Sequence, residues 1–448
     1  MKIKFSLLDN ISFRKILASL LLLLFLLGSC EKGELPSTPI DPNDPTLQGY
    51  YKDLFMDGGI LLTSRTTLPA ANTLGLSMEY FASSATENLN LQDTLRQTAL
   101  FIGDENDSNG VLLYPDGAPR FKVIYVNGGK SWQHGKSLTE EGLQRVRDYV
   151  AAGGSYVGTC AGMFMACNSS YAYGNKLRPE FFRIWPGYAR HTGLDDAETG
   201  HFIEHNSPLL KYYNFGNDMY IDAVRHNGGG FLYEPWGVPA GTEILLRYDY
   251  PQLSPSGVNF HRQPSAWAYK ANRKSGRIVV IGSHPEGINS GERLDLMSAM
   301  LLYALEGAGD PQLKGDLVKG TPRTMDKKTE DKAPLYTKIG DRQYHHFKIN
   351  IPSGAKNIVV TLEGPSDYQL NLFMRRGSFA FAQNATHYNN NTQSKKSIKL
   401  ESVEEGVWYI SAYCATAVKG KKADWGTEYI GDLGVLNGVP YTIKVDWE

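Results

Sequence analysis

Apolar and polar positions repeat differently in the two halves of this chain. Before about residue 306, short apolar runs such as 121–126 and "SYVGT" are each followed by residues with helical spacing. One such segment, from about Ser137, places Leu143, Val146 and Val150 on one face of a helix. Because strand and helix alternate, the pattern predicts an α/β domain with a mostly parallel sheet and right-handed crossovers.

From residue 337 onward, the helical spacing disappears. Short alternating segments, among them "YHHFKINI", "NIVVTLEG" and "YTIKVDWE", are separated by turn residues. Such spacing predicts an antiparallel β-sandwich over residues 337–448. The preceding stretch, 307–336, is charged and rich in Gly and Pro, so we interpret it as a linker that follows an α/β domain over 49–306.

The N-terminus has the pattern of an export signal. Basic residues precede the apolar run "ILASLLLLFLLG", which is short for a membrane span. The run ends in "LLGSC", which resembles a bacterial lipobox, in which the cysteine, here Cys30, is lipidated and becomes the first mature residue. The alternatives are an ordinary signal peptide that is cut elsewhere and a single transmembrane anchor.

We therefore expect a signal peptide over residues 1–29 and a flexible, Pro-rich tether over residues 30–48. The expected location is the cell envelope, lipid-anchored to a bacterial membrane. Of the bacterial membranes, the outer one is preferred, at its periplasmic face or at the cell surface.

Composition narrows the classes of partner. The formal net charge is −1, and no basic tract follows the signal segment, so nucleic acid is not expected as a partner. Besides Cys30, the chain has Cys160, Cys167 and Cys414, and no spacing typical of metal ligands. Cys160 and Cys167 lie two helical turns apart, too far for a disulfide. We expect no metal and no cofactor.

The segment "GGSYVGTCAGMFMAC" predicts a strand that ends at Cys160 and turns at once into a helix. Two other strands end in polar or glycine residues. "FKVIYVNGG" ends at Gly128 and Gly129, and "RIVVIGSHPEG" carries His284 and Glu286. Because the carboxyl ends of parallel strands lie at one edge of a sheet, we expect these three segments to meet.

Their residue types suit nucleophilic catalysis. A thiol at a helix N-terminus favours the thiolate, and a tight strand–helix turn exposes its sulfur. The N–H groups of Ala161 and of the glycine turn can bind an oxyanion, His284 can transfer the proton, and Glu286 can orient the imidazole. A lone cysteine usually only packs, as Cys167 is expected to do. Cys160 differs because three segments are predicted to converge on it.

Together, "VNGG", "GTCAG" and "GSHPEG" resemble the motifs of the class I glutamine amidotransferase-like superfamily. The "CAG" elbow and the later "HNGGG" are most similar to the biotin-protein ligase N-terminal-like domain, over roughly residues 50–305. The resemblance implies a flavodoxin-like fold, with Cys160 as nucleophile, His284 as base and Glu286 as its orienting acid. The implied oxyanion or substrate-binding residues are Gly128, Gly129, Ala161, His226 and Asn227.

In the second half, "ESVEEGVWYISAY" resembles the pre-peptidase C-terminal (PPC) domains of secreted bacterial hydrolases. Neither a biotin-ligase catalytic domain nor an ammonia-accepting domain is recognisable, so biotin ligation and channelled transfer from glutamine are not expected. We instead expect hydrolysis of an amide, peptide or γ-glutamyl-type bond through an acyl-thioester. The alternative is a non-catalytic ligand-binding or assembly lipoprotein that keeps the elbow as scaffold.

The expected partners follow from these assignments. They are the membrane, through lipid on Cys30, a small amide or peptide substrate, and a glycan or protein at the β-sandwich. Loops such as 170–235 would determine the specificity, and their pattern does not name the substrate.

Overall fold

The computed structural model describes residues 44–57, 68–81, 91–105, 107–170, 177–423 and 426–448. The signal segment, Cys30 and most of the tether lie outside these residues. Within the described parts, no helix is both long and apolar enough to cross a bilayer.

The elements are as follows. The α-helices are α1 Pro69–Thr73, α2 Leu91–Ile102, α3 Ser131–Ala151, α4 Ala161–Ala166 and α5 Gly291–Leu305. The strands of the first half are β1 Lys52–Asp57, β2 Met78–Phe81, β3 Phe121–Val126, β4 Ser155–Thr159, β5 Ser169–Ser170, β6 Tyr188–His191, β7 Ala197–Ile203, β8 Tyr220–His226, β9 Gly230–Leu232, β10 Thr242–Asp249, β11 Pro264–Tyr269 and β12 Ile278–Ile281. Those of the second half are β13 Leu313–Asp316, β14 Arg323–Met325, β15 Tyr344–Ile351, β16 Lys356–Glu363, β17 Leu370–Arg376, β18 His387–Asn389, β19 Lys395–Ser402, β20 Gly406–Cys414, β21 Lys419–Ala423, β22 Gly426–Ile430 and β23 Tyr441–Asp446.

The first half is built on one large sheet. Its neighbouring strands run β21-β22-β2-β1-β3-β4-β12-β11-β10-β7-β8. The strands from β2 to β12 in this order pair in parallel, and antiparallel strands extend the sheet on both sides. Counted along the chain, the five parallel strands have the order 2-1-3-4-5, which is the flavodoxin-like order. The predicted α/β domain is confirmed.

Helices cover both faces of the parallel strands. Helices α1 and α5 pack together on one face, over alternate residues such as Val123, Val157 and Val279. Helices α2, α3 and α4 pack on the other face, over residues such as Ile124 and Tyr156. Since both faces are buried, the strands are apolar along their whole length, as parallel strands usually are.

Helix α3 begins six residues before the predicted start. Thr139 interrupts it with φ 60° and ψ 172°, so the backbone turns within the helix. The part of α3 that follows Thr139 carries the predicted apolar face, including the buried Leu143 and Val146. The periodicity therefore identified the second part of the helix and missed the first.

The second half is a sandwich of two sheets, with strand orders β13-β15-β20-β17-β18 and β14-β23-β16-β19. Its pairs are antiparallel apart from β13 with β15. The predicted sandwich is confirmed. The segment 307–336, interpreted above as a linker, carries β13 and β14, which pair with β15 and β23. Its high content of charge and glycine hid these edge strands, which bury few side chains.

The two halves share an extensive interface. Arg120, just before β3, forms two hydrogen bonds with Asp341, just before β15, at 2.9 and 2.7 Å. The hairpin β21–β22 leaves the sandwich and joins the large sheet beside β2. One hydrophobic cluster runs from the α2–α4 face of the large sheet into the sandwich core. The halves are therefore joined by a common core and by a buried ion pair.

Candidate active site

Cys160 lies at the turn between β4 and α4. Its backbone has φ 47° and ψ −103°, a region that residues other than glycine rarely occupy. The Cys160 N–H donates to the carbonyl of Ile281, the last residue of β12, at 2.9 Å. The turn thus joins the carboxyl ends of two neighbouring strands. Strained conformations of this kind persist where the surrounding structure enforces them, and they are common at active sites.

The glycines around Cys160 allow helix α4 to approach the sheet. A Cβ on Gly162 would collide with the carbonyl of Val126, and one on Gly158 would lie 2.6 Å from the carbonyl carbon of Gly162. The Gly162 N–H donates to the carbonyl of Asn127, which directly follows β3, at 3.2 Å. The flanking glycines are therefore required because strand and helix nearly touch there.

The Cys160 side chain is more enclosed than the sequence suggests. Its residue is 5% exposed, so the expectation of an exposed sulfur is wrong. The segments that follow β8 and β12 lie over the turn, and the thiol donates a hydrogen bond to the carbonyl of Asn227 at 3.4 Å. Among the described cysteines, Cys160, Cys167 and Cys414 are all free thiols. Cys167 is fully buried, as expected for a packing residue.

His284 and Glu286 form a buried pair. Nδ1 of His284 donates to Oε1 of Glu286 at 2.9 Å, and the two residues are 7% and 4% exposed. Burial lowers the pKa of His284, but the Glu286 charge and the hydrogen-bonding capacity of Cys160 raise it, and the balance is a pKa of about 11. These partners therefore favour the protonated form of His284.

The second ring nitrogen of His284 is available for chemistry. Nε2 is buried, and no group among the described residues completes a hydrogen bond of standard geometry with it. The Cys160 thiol is among the groups that raise the pKa of this imidazole, although the two side chains form no hydrogen bond of standard geometry. Catalytic hydrogen bonds are often loose in unliganded sites. The arrangement can pass a proton between sulfur, imidazole and a bound substrate.

The two predicted oxyanion donors, Ala161 and Gly129, follow the ends of neighbouring strands. In the described chain, no acceptor receives the N–H of Ala161 or of Gly129. Gly129 has φ 137°, and a Cβ there would lie 2.8 Å from Nε2 of His134. This turn, which includes Gly128, follows β3 next to the strand that ends at Cys160. The Gly129 position therefore needs glycine both for its backbone angle and for the approach of His134.

The two implied substrate-binding residues His226 and Asn227 lie at the end of β8 and directly after it. His226 is fully buried, and both ring nitrogens have partners. Nε2 lies 2.7 Å from Oγ1 of Thr192, and Nδ1 lies 3.1 Å from Oγ of Ser283. Asn227 reaches the thiol through its backbone carbonyl, while its side chain accepts the Asp196 N–H at 3.3 Å.

Several polar residues near the site were not predicted. Thr192 and Tyr248 contact His226, and Ser283 immediately precedes His284. Asn127 is fully buried, and neither its side-chain oxygen nor its nitrogen has a partner in the described residues. Only Asn127 and Ser283 had a signal in the sequence, since each lies inside a motif, in "VNGG" and "GSHPE". No three His, Cys, Asp or Glu side chains of the described residues group closely enough to hold a metal ion.

The part of the chain that contains the turn at Cys160 matches a known protein family. Residues 116–193 match the family model of the biotin-protein ligase N-terminal domain. The matched part contains the glycine turn, Cys160 and Ala161, and it ends before His226 and His284. Comparison with the curated proteins finds no match.

Three solved structures are similar to parts of the chain. A glutamine amidotransferase has 15% identity and a TM-score of 0.34, and the match covers 56% of this chain and 98% of that one. A putative GMP synthase subunit from Thermoplasma acidophilum has 13% identity and a TM-score of 0.31, with 57% and 96% covered. The pre-peptidase C-terminal domain of a collagenase from Bacillus anthracis has 14% identity and a TM-score of 0.20, with 31% and 100% covered. Over its elbow and glycine turn, the chain thus has the sequence pattern of the biotin-protein ligase N-terminal domain.

Proposed function

We propose that this protein hydrolyses an amide, peptide or γ-glutamyl-type bond with Cys160 as nucleophile. The observation that carries the proposal is the strained turn that holds the Cys160 thiol beside the buried His284–Glu286 pair. A thiol next to an imidazolium is the arrangement of activated cysteine nucleophiles.

In the first half of the proposed reaction, the Cys160 thiol gives its proton to Nε2 of His284 as the sulfur attacks the carbonyl carbon, and the N–H groups of Ala161 and Gly129 stabilise the oxyanion. The C–N bond then breaks as Nε2–H of His284 protonates the departing amine, which leaves an acyl-thioester on Cys160. In the second half, a water molecule attacks the thioester and gives a proton to His284. The C–S bond then breaks as His284 returns the proton to the sulfur, so the carboxylic acid is released and the thiol is restored.

The three free cysteines make a test within one molecule. Burial raises the pKa of the Cys167 and Cys414 thiols, which therefore serve as slow internal references. The native protein is treated with iodoacetamide from pH 5 to 9, and the rate at each cysteine is measured by peptide mass spectrometry. We expect Cys160 to react faster than N-acetylcysteine at pH 6, and His284→Asn to remove this advantage.

Hydrolysis is measured in parallel as release of ammonia or nitroaniline from glutamine, γ-glutamyl-p-nitroanilide and short peptide amides. Cys160→Ser and Cys160→Ala should abolish turnover, while Cys167→Ala should retain it. If Cys160 reacts no faster than N-acetylcysteine, the proposal is wrong, and the non-catalytic ligand-binding lipoprotein becomes the better description.

We also propose that Cys30 carries the lipid that anchors the protein in the cell envelope. The support is the "LLGSC" motif after a basic and apolar segment. Cys30→Ser should move the protein out of the membrane fraction or leave it unprocessed, since stable anchoring needs the acyl chains. Cys167→Ala is the control and should stay in the membrane fraction. Normal processing and unchanged fractionation of Cys30→Ser would exclude lipidation.

A further inference from the structure

A chain of buried polar side chains lies behind the candidate site, and we call it the His226 network. It runs in the order Thr192, His226, Ser283, Thr199, His201 and Ser265, with contacts of 2.7, 3.1, 3.2, 3.3 and 2.8 Å between successive members. All six side chains are buried. Buried polar networks of this kind stabilise one geometry only if each donor meets an acceptor.

The donors and acceptors assign the tautomer of His226. The Thr192 hydroxyl donates its one proton to the carbonyl of Gly229 at 2.9 Å. With that proton on the carbonyl, the hydroxyl oxygen accepts from His226, and we infer that the ring carries its proton on Nε2. Nδ1 is then the acceptor of a neutral imidazole.

Two hydroxyl groups face Nδ1 of His226. The Tyr248 hydroxyl is 3.4 Å away and donates to the carbonyl of Gly230 at 3.0 Å. The Ser283 hydroxyl, at 3.1 Å, is left as the donor to Nδ1. Burial and the neighbouring His284 lower the pKa of His226 to about 3, so the ring is neutral throughout the range of hydrolysis assays.

His226 thereby connects the two segments that carry the candidate site. Asn227 directly follows His226, and its backbone carbonyl accepts a hydrogen bond from the Cys160 thiol. Ser283 directly precedes His284. The backbone N–H of His284 donates to the backbone carbonyl of Arg225 at 2.8 Å. The end of β8 and the residues after β12 are therefore joined by two separate contacts. One is the hydrogen bond between the His226 imidazole and Ser283, and the other is the backbone hydrogen bond between His284 and Arg225.

We propose that His226 is a positioning residue that holds the carbonyl of Asn227 and the imidazole of His284 at fixed distances from the Cys160 thiol. The inference rests on the proposed function, because it assigns His226 to the same site. It differs from the role implied by the resemblance, since His226 acts through its two neighbours in the chain and touches no substrate.

Three variants of the full chain test this role. His226→Leu removes both hydrogen bonds, whereas His226→Asn keeps an acceptor near the position of Nδ1. Ser283→Ala removes only the donor and leaves the ring, so it serves if His226→Leu does not fold. Ser265→Ala is the matched control, because it removes a buried hydrogen bond of His201 at the far end of the network.

The first measurement is the rate of iodoacetamide reaction at Cys160 between pH 5 and 9. A displacement of about 1 Å in a reacting group costs up to about 100-fold in rate, so we expect a 10- to 100-fold loss in His226→Leu. His226→Asn should lose less of the reaction rate than His226→Leu. The rate of Ser283→Ala should lie between the rates of these two variants. Ser265→Ala should keep the wild-type profile even though it is less stable.

The second measurement is ¹⁵N NMR of histidine-labelled protein, which does not depend on thiol reactivity. His226 should be neutral with its proton on Nε2, and the ring resonances of His284 should shift in His226→Leu but not in Ser265→Ala. A slow Cys160 in the wild type would contradict the proposed function alone. A folded His226→Leu variant with unchanged His284 resonances, or a His226 ring protonated on Nδ1, would overturn the positioning role.

Discussion

Two buried ion pairs of this molecule have similar surroundings and different consequences. Arg120–Asp341 joins the two halves of the chain, and His284–Glu286 lies at the candidate site. Both pairs are almost completely removed from solvent. Both also combine a carboxylate with a planar nitrogen cation through hydrogen bonds of 2.7–2.9 Å.

Each pair leaves one buried nitrogen without a hydrogen-bond partner among the described residues, Nη1 of Arg120 and Nε2 of His284, and the pairs differ in what lies around the cation. Arg120 uses two nitrogens on Asp341, and its guanidinium lies 3.9 Å from the ring centre of Tyr51 and 5.0 Å from that of Tyr429. His284 uses one nitrogen on Glu286, and its other nitrogen is left beside a thiol. The first cation is enclosed by stabilising partners, whereas the second keeps a proton that can move.

The chemistry of the two cations also differs. Arginine does not lose its proton in proteins, whereas histidine does so readily when a partner is removed. Loss of the carboxylate therefore leaves a buried charge in one pair and a neutral ring in the other. A buried ion pair can therefore take part in proton transfer only where its cation can lose a proton.

Removing the carboxylate at the interface should have the largest effect. Asp341→Asn removes the carboxylate that accepts two hydrogen bonds from Arg120, and breaking a buried pair in this way costs about 3–5 kcal/mol of unfolding free energy. Arg120 keeps its proton at both pH 6 and pH 10, but the carboxyl of Asp107, which also interacts with it, has a pKa raised by burial to about 7, so the loss should be larger at pH 6 than at pH 10. Denaturant unfolding at both pH values measures it.

The control for Asp341→Asn is Glu363→Gln, which breaks an exposed pair with Lys395 whose N–O distance is 3.2 Å. It should cost less than about 1 kcal/mol. If Asp341→Asn costs no more than this control, the interface pair does not stabilise the joined halves.

The same substitution at the site, Glu286→Gln, should cost less and depend on pH. The pKa of His284 is raised from 6.5 to about 11, so its stabilisation is complete below pH 6.5 and is lost as the pH rises towards 11. We expect a loss of about 2 kcal/mol at pH 6, as for a charge-assisted hydrogen bond, and a smaller loss at pH 10. Unfolding at the two pH values measures it, and a loss independent of pH would show that His284 is not held as a cation.

The smallest expected effect concerns the backbone strain that only the site carries. Cys160 has a positive φ, which glycine adopts without strain and alanine does not. The unfolding free energy of Cys160→Gly should therefore exceed that of Cys160→Ala by about 1 kcal/mol. Cys167, with φ −76°, is the matched control, and there alanine should be the more stable replacement. Denaturant unfolding of the four variants tests this. The same order at both positions would mean that the elbow stores no strain.

The order of elements around the site could be predicted because it depends on local periodicity. Apolar runs identified β3, β4 and β12, and the rule for carboxyl ends of parallel strands brought Cys160, the glycine turn and His284 to one edge. The start of α3 could not be predicted, because the turn at Thr139 has no signal in the apolar spacing. The strands β13 and β14 were missed because edge strands bury few residues and so show little alternation.

The sequence by itself determined which residue types stand at the strand ends, since a motif and the period of its strand are both local properties. Only the tertiary structure decided which of those side chains meet. It enclosed Cys160 beneath the segments after β8 and β12, and it directed His226 into a buried network instead of the site. It also paired Arg120 with Asp341, 221 residues apart in the chain. The physical reason is that such contacts depend on how whole layers pack, and no local pattern records the distance between residues that are far apart in sequence.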